Sequence, residues 1–173
     1  MKTLKIGEKV IYPNQGLGVV EAIHEEAYNG ERFTVYNLRI IANNTLVTLP
    51  SATALEIGIR RPMAEDSIRK IFQFMGDGDV DVTADWKGRY KEHLNLMKSG
   101  TLFDMATVLK SLYFLSLQKP LSFREKKMME KAKELIVSEI SEAVASPCAK
   151  IEEKLLGTLS RSFKTAAKSR IAA

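Results

Sequence analysis

Cysteine is almost absent from this 173-residue chain. Cys148 stands by itself, so no disulfide can form within the molecule, and a stapled secreted scaffold is excluded. No apolar run approaches the roughly 20 residues that a membrane-spanning helix requires. The N-terminal "MKTLKIGEKV" lacks the apolar stretch of a secretory leader. A cytoplasmic location without membrane contact is therefore expected. Histidine is nearly as scarce. His24 and His93 have no second His or Cys at metal-ligand spacing, so no metal centre is expected, and each is read as a surface or lightly buried side chain.

Catalytic signatures are missing as well. "GDGDVDV" sets Asp77, Asp79 and Asp81 at alternate positions, but no Glu or Gly stands where a calcium loop needs them, so it reads as a solvated linker. "GEKVIYPNQGLG" lacks the Gly-Lys-Ser/Thr ending of a phosphate loop. No nucleophile can be matched to a base. Neither an enzyme nor a bound cofactor is expected.

What the chain does have is a globular balance, 45% hydrophobic and 27% charged, which excludes disorder as its default state. Its net charge of +5 permits a polyanionic partner without requiring one. The excess sits at the end, where residues 144–173 carry six Lys/Arg against two Asp/Glu. Residues 83–98 are a local exception elsewhere, with four cations against two anions.

Periodicity divides the chain. "EKVIYP", "VVEAIHEEAY", "ERFTVYNLRII" and "TLVTLP" read as strands, with the hairpin signal Asn29-Gly30 and the pair Asn43-Asn44 as tight turns. About fifty residues of short antiparallel strands predict a small, strongly bent sheet of the SH3 or Tudor type, with an edge left available. After Pro50 a short helical turn ends at Gly58, "RRP" forms a joint, and the 3.6-residue period takes over. Helical stripes follow at Ile68, Ile71, Phe72 and Met75, at Trp86, Tyr90, Leu94 and Met97, and from Leu102 to Tyr113. "SFRE" at Ser122–Glu125 has capping-box spacing and opens a long helix. The last segment carries Ile151, Leu155, Leu159 and Phe163 on one side and basic residues on the other. The expected fold class is thus α+β in two domains, a bent antiparallel sheet and then an all-α bundle. The expected boundaries are 1–60 for the sheet, 61–145 for the bundle and 146–173 for a basic amphipathic extension.

The stretch "TADWKGRYKEHL" holds the chain's sole tryptophan among cations. At about 100° per residue, Lys87 and Lys91 border one side of the Trp86 stripe and Arg89 the other. A helix beginning at Thr83 or Asp85 puts Trp86 in its first turn. On one reading Trp86 caps the core and the cations are solvated. On the other it is an apolar wedge flanked by phosphate-binding cations, as in proteins that distort the DNA minor groove.

Taken together, "GEKVIYPNQGLGVVEAI", "LVTLPSATALEIGIRRP", "DWKGRYKEHLNLMKSG" and "LYFLSLQKPLSFREKKMMEKAKELIVSEI" resemble the CarD/CdnL family of bacterial transcription regulators, in order and spacing, from Ile6 to Val144. Residues 147–173 lie beyond the resemblance. It implies a Tudor-like domain, shared with the transcription-repair coupling factor, that docks on the RNA polymerase β subunit. It also implies a helical half held against promoter DNA as a monomer on the polymerase, near the upstream edge of the melted bubble. Trp86 matches the wedging tryptophan that favours the open complex, and Lys87, Arg89 and Lys91 are its basic neighbours. The polymerase contact would fall on Glu26 and on Leu46, Val47, Thr48, Leu49 and Pro50. Glu26 and Thr48 stand where some relatives carry arginines, and Gly88-Arg89 replaces an adjacent basic pair. The alternative is a Tudor-like protein-binding module with a helical oligomerisation domain and no DNA contact.

Overall fold

A computed structural model describes residues 3–78, 80 and 86–171, with the side chains of Trp86 and of residues 164–171 outside that description. The chain is α+β and separates into two units, Met1–Pro62 and Met63–Ala173.

The first unit is a four-stranded antiparallel meander in the order β1 (Lys9–Tyr12), β2 (Gly16–Tyr28), β3 (Glu31–Ile40) and β4 (Thr45–Pro50). Its turns are set by residues that tolerate a left-handed backbone. Asn29 and Gly30 take φ of 50° and 84°, so Tyr28 pairs with Glu31 across a two-residue loop that matches strand twist. A bulge between Val20 and Ala22 bends the long second strand. At that bulge Glu21 receives both Nε and Nη2 of Arg39 at 2.9 Å, a fork that ties β2 to β3 on the outer face.

Helix α1 (Ser51–Ile57) stops at Gly58, whose φ of 84° lets its amide return to the Leu55 carbonyl. The chain then runs back along the first strand. Ile11 and Arg60 exchange backbone hydrogen bonds at 2.7 and 3.2 Å, so the outer edge of β1 is occupied. Leu4, Val10, Val20, Tyr36, Leu38, Leu49, Ala54 and Ile59 form the core between sheet and helix.

The second unit is helical: α2 (Glu65–Gly76), α3 (Trp86–Ser99), α4 (Leu102–Gln118), α5 (Phe123–Ala143) and α6 (Cys148–Ile171). Helix α4 is central and packs against all four of the others. Its start is fixed by Thr101, whose side chain accepts the Asp104 amide at 3.1 Å. Helix α5 opens on the expected capping box, Ser122 and Glu125 each binding the other's backbone amide. Helix α6 is built into this unit. Ile151, Leu155, Leu159 and Phe163 are buried in the common core, and Phe163 lies 5.1 Å from Phe114, ring centre to ring centre.

Candidate functional site

In the first unit the question is which edge can accept another chain. Strand β1 is closed by Arg60. On β4, among the described residues, backbone pairing runs to β3 alone, from Thr45 opposite Ile40 to Pro50 opposite Val35. The alternation of a strand divides the side chains cleanly. Leu46, Thr48 and Pro50 face solvent, Leu46 at 46% exposure. Val47 is half-buried against the core and Leu49 is 4% exposed.

Leu49 was expected at the polymerase contact. Its side chain is a core residue, so it can contribute there only through its backbone. Thr48 is exposed and its hydroxyl donates to Asn37 Oδ1 at 3.0 Å. Glu26 is exposed too, with its carboxylate on His24 Nε2 at 3.0 Å. The fold does not unite Glu26 with residues 46–50, however. It pairs with Phe33 on the far side of β3, two positions beyond the point where β4 ends opposite Val35.

In the second unit the candidate residues lie on α3, which is described from Trp86 onward. The expected start at Thr83 or Asp85 and the Trp86 side chain lie outside the described residues, as do Asp79 and Asp81 of the aspartate-rich linker. Lys87 and Lys91, one helical turn apart, are exposed. Arg89 is not on that surface. It is 3% exposed, and its Nη2 donates to Glu125 Oε1 at 3.2 Å.

The buried stripe of α3 is consequently Arg89, His93 and Met97, flanked by half-buried Tyr90 and Leu96, while Leu94 is 36% exposed. Apolar spacing alone had put Leu94 inside and Arg89 at the border of the stripe, and His93 was read as a surface or lightly buried side chain. A buried carboxylate reverses this. Glu125 is committed to the start of α5, where Ser122 N and Oγ donate to its Oε2 at 2.9 and 2.7 Å. Its remaining oxygen needs a partner, and Arg89 is the cation that reaches it.

Burial alone would raise the pKa of Glu125. The Ser122 hydrogen bonds and the Arg89 guanidinium outweigh that and hold it below the usual carboxylate range. His93, 5% exposed, is pushed down to about 4, first by burial and then by Arg89, with Glu125 opposing. It is neutral at physiological pH.

Sequence reading missed a second buried cation. Lys110 is 2% exposed on α4, and its Nζ donates to the Phe74 carbonyl at 2.7 Å and to the Asp77 carboxylate, at the end of α2. It also lies 4.3 Å from the centre of the Phe74 ring. The signal was present, since Lys110 interrupts an otherwise apolar helix face between Leu109 and Leu112.

Among the described residues no cluster of His, Cys, Asp and Glu could hold a metal, and no helix is long and apolar enough to cross a membrane.

Two family models cover most of the chain. Residues 4–62 match the CarD-like/TRCF RID domain, and residues 70–156 match the CarD C-terminal domain. The second match runs past Val144, where the resemblance was read to end, and takes in the first third of α6. The chain is 31% identical over 136 residues to the "Putative transcription factor YdeB" of Bacillus subtilis (strain 168), covering 79% of this chain and 89% of that protein. Among solved structures, the solution NMR structure of the 72-residue N-terminal domain of Myxococcus xanthus CarD is 34% identical, with a TM-score of 0.30; it covers 34% of this chain and 79% of that one. Both halves of the chain match in order, and the Bacillus relative matches across most of its own length, so the chain belongs to the CarD family of transcription regulators.

Proposed function

We propose that this regulator binds the RNA polymerase β subunit through the outer edge of β4 and stabilises the promoter open complex by wedging Trp86 into the minor groove beside the upstream edge of the bubble. Polymerase docking is supported by the match of residues 4–62 to a domain type shared with the transcription-repair coupling factor. It is supported physically by the asymmetry of the two sheet edges, one closed by Arg60 and one with exposed Leu46, Thr48 and Pro50. An exposed edge is a template for strand addition, in which backbone bonds give affinity and outward side chains give specificity.

The observation that carries the DNA half is the place of Trp86. It stands on α3, followed on the same helix by two cations, Lys87 and Lys91, that are both exposed. An apolar wedge between bases costs a few kcal/mol in lost stacking, which is lower where the duplex is already distorted. Trp86 therefore binds partly opened DNA better than closed DNA. That difference in affinity is what shifts the closed–open equilibrium, about tenfold for every ~1.4 kcal/mol. Lys87 and Lys91 supply phosphate contacts that position the helix without reading sequence. Arg89 leaves the phosphate-binding set and instead supports the helix from within.

The test is Trp86→Ala in an open-complex lifetime assay with purified polymerase and promoter. The expected result is a lifetime close to that without the regulator, with polymerase binding unchanged. Full retention of the wild-type lifetime would remove the wedge.

A further inference from the structure

The residues on either side of Pro62 are tied down, each to its own unit. Arg60 exchanges backbone hydrogen bonds with Ile11 at 2.7 and 3.2 Å, and its Nη1 donates to the Arg61 carbonyl at 3.1 Å. Arg61 Nε donates to the Glu8 carboxylate. On the other side Met63 packs on the helical core, and its amide donates to Glu139 Oε1 at 2.9 Å. We propose that the chain between the two units is a single-axis joint, with ψ of Pro62 as its one free rotation. Arg60 and Arg61 hold its sheet end and Glu139 holds its helical end.

Counting soft dihedrals leads to this joint. Peptide units are planar, so a chain turns only at the φ and ψ of each residue. The plane between Arg61 and Pro62 carries the Arg61 carbonyl, which Arg60 holds to the first unit. The plane between Pro62 and Met63 carries the Met63 amide, which Glu139 holds to the second. Between these planes lie only φ and ψ of Pro62. The pyrrolidine ring locks φ at about −65°, and it also keeps the preceding Arg61 extended. Rotation about ψ is what remains.

Glu139 is the costly anchor. It is 1% exposed on α5, between Ile136 and Ile140 of the common core. A carboxylate there is disfavoured unless it is hydrogen-bonded. A leucine would fill the place without that penalty and would leave the Met63 amide without this acceptor. The other anchor lies nearer solvent. The Arg61 guanidinium holds the Glu8 carboxyl below the usual carboxylate range.

A joint with one rotation leaves the helical unit little slack once the sheet has docked. A confined tether keeps α3 at high effective concentration beside the DNA, and less freedom is lost when it binds. That consequence rests on the function proposed above; the joint itself does not.

The test is Pro62→Gly in the full chain, which frees φ at that residue and lifts the restriction on Arg61. Backbone 15N relaxation reads the rotational correlation time of each unit separately. In the wild type the two values should agree closely, and in Pro62→Gly they should shorten and separate. Glu139→Ala should behave as Pro62→Gly does, and Glu139→Gln, which keeps an acceptor oxygen, as the wild type does. Should Glu139→Ala fail to fold, Pro62→Gly and Glu139→Gln carry the test. The gain in open-complex lifetime should fall by about two- to fivefold in Pro62→Gly, the span set by freeing the backbone of one residue. Well-separated correlation times in the wild type overturn the proposal, as does identical relaxation in wild type and Pro62→Gly. Altered relaxation with an unchanged lifetime, where Trp86→Ala shortens it, overturns the part given to the joint in promoter opening. If Trp86→Ala leaves the lifetime unaltered, the wedge reading fails, and relaxation by itself decides whether the joint exists.

Discussion

Arg89 and Glu125 meet inside the helical unit. Arg89 Nη2 lies 3.2 Å from Glu125 Oε1, between side chains 3% and 11% exposed. The same carboxylate closes the capping box of α5, so one residue starts one helix and holds another. Glu125→Ala removes the cap and takes a carboxylate away from a buried guanidinium. A loss of about 3–5 kcal/mol in unfolding free energy is expected, read from urea denaturation. A loss under about 1 kcal/mol, the worth of the cap by itself, would mean that Arg89 finds water or another acceptor.

The same cluster should make the helical unit acid-labile. Burial and Arg89 hold His93 at about 4, below its ordinary 6.5, so the unfolded chain takes up the proton first. Stability is complete above about 6.5 and declines as pH falls toward 4. Glu125 is likewise held below its ordinary 4.5, so its contribution is present above that value and is lost as pH falls through the lowered one. Melting temperatures measured from pH 7 to pH 4 should fall steadily. Arg89→Met should raise the pKa of His93 in an NMR titration, since it removes a facing positive charge.

On the sheet, neighbouring residues of one strand should separate stability from binding. Leu49→Ala opens a cavity in the first core and should cost about 2–5 kcal/mol. Leu46→Asp leaves that core intact and should change stability by less than about 0.5 kcal/mol. Polymerase pull-down should nevertheless weaken strongly with Leu46→Asp. Equal binding by both variants would direct attention away from β4.

Salt dependence tests which cations touch phosphate. Lys87→Gln and Lys91→Gln should each flatten the slope of log affinity against log salt by about 0.9. Arg89→Gln should leave that slope nearly unchanged, because its guanidinium already has a buried carboxylate. A slope change from Arg89→Gln as large as from Lys87→Gln would return Arg89 to the interface.

The basic C-terminal segment calls for a cut at a particular place. Removing everything after Ala145 takes Ile151, Leu155, Leu159 and Phe163 out of the common core, so unfolding of the helical unit is expected. Ending the chain at Phe163 instead removes Lys164, Lys168 and Arg170 and keeps the packed face. A salt slope unchanged in that shorter chain would leave the terminal cations without a part in DNA binding.

Much of this was legible beforehand. Asn29-Gly30 specified a hairpin because two consecutive residues with positive φ leave few alternatives. Gly58 ended a helix, and Ser122 with Glu125 capped one, because these are local bonds within four residues of chain. The strand pattern of 46–50 also announced that alternate residues face opposite ways, although which set faces inward had to come from the sheet. The stripe of α3 was misread for a physical reason. Periodicity sorts side chains by apolarity, and Arg89 and His93 are inside because of a carboxylate 36 and 32 residues away in sequence.

The sequence by itself thus determined the α+β division, the turns and caps, the membership of a regulator family and the position of one tryptophan among cations. Each depends on residue type and short-range spacing. The tertiary structure decided which sheet edge is closed and which cations point outward. It also decided that the Arg89 and Lys110 cations are buried against carboxylates of other segments, because such pairing depends on distances that only the packed helices create.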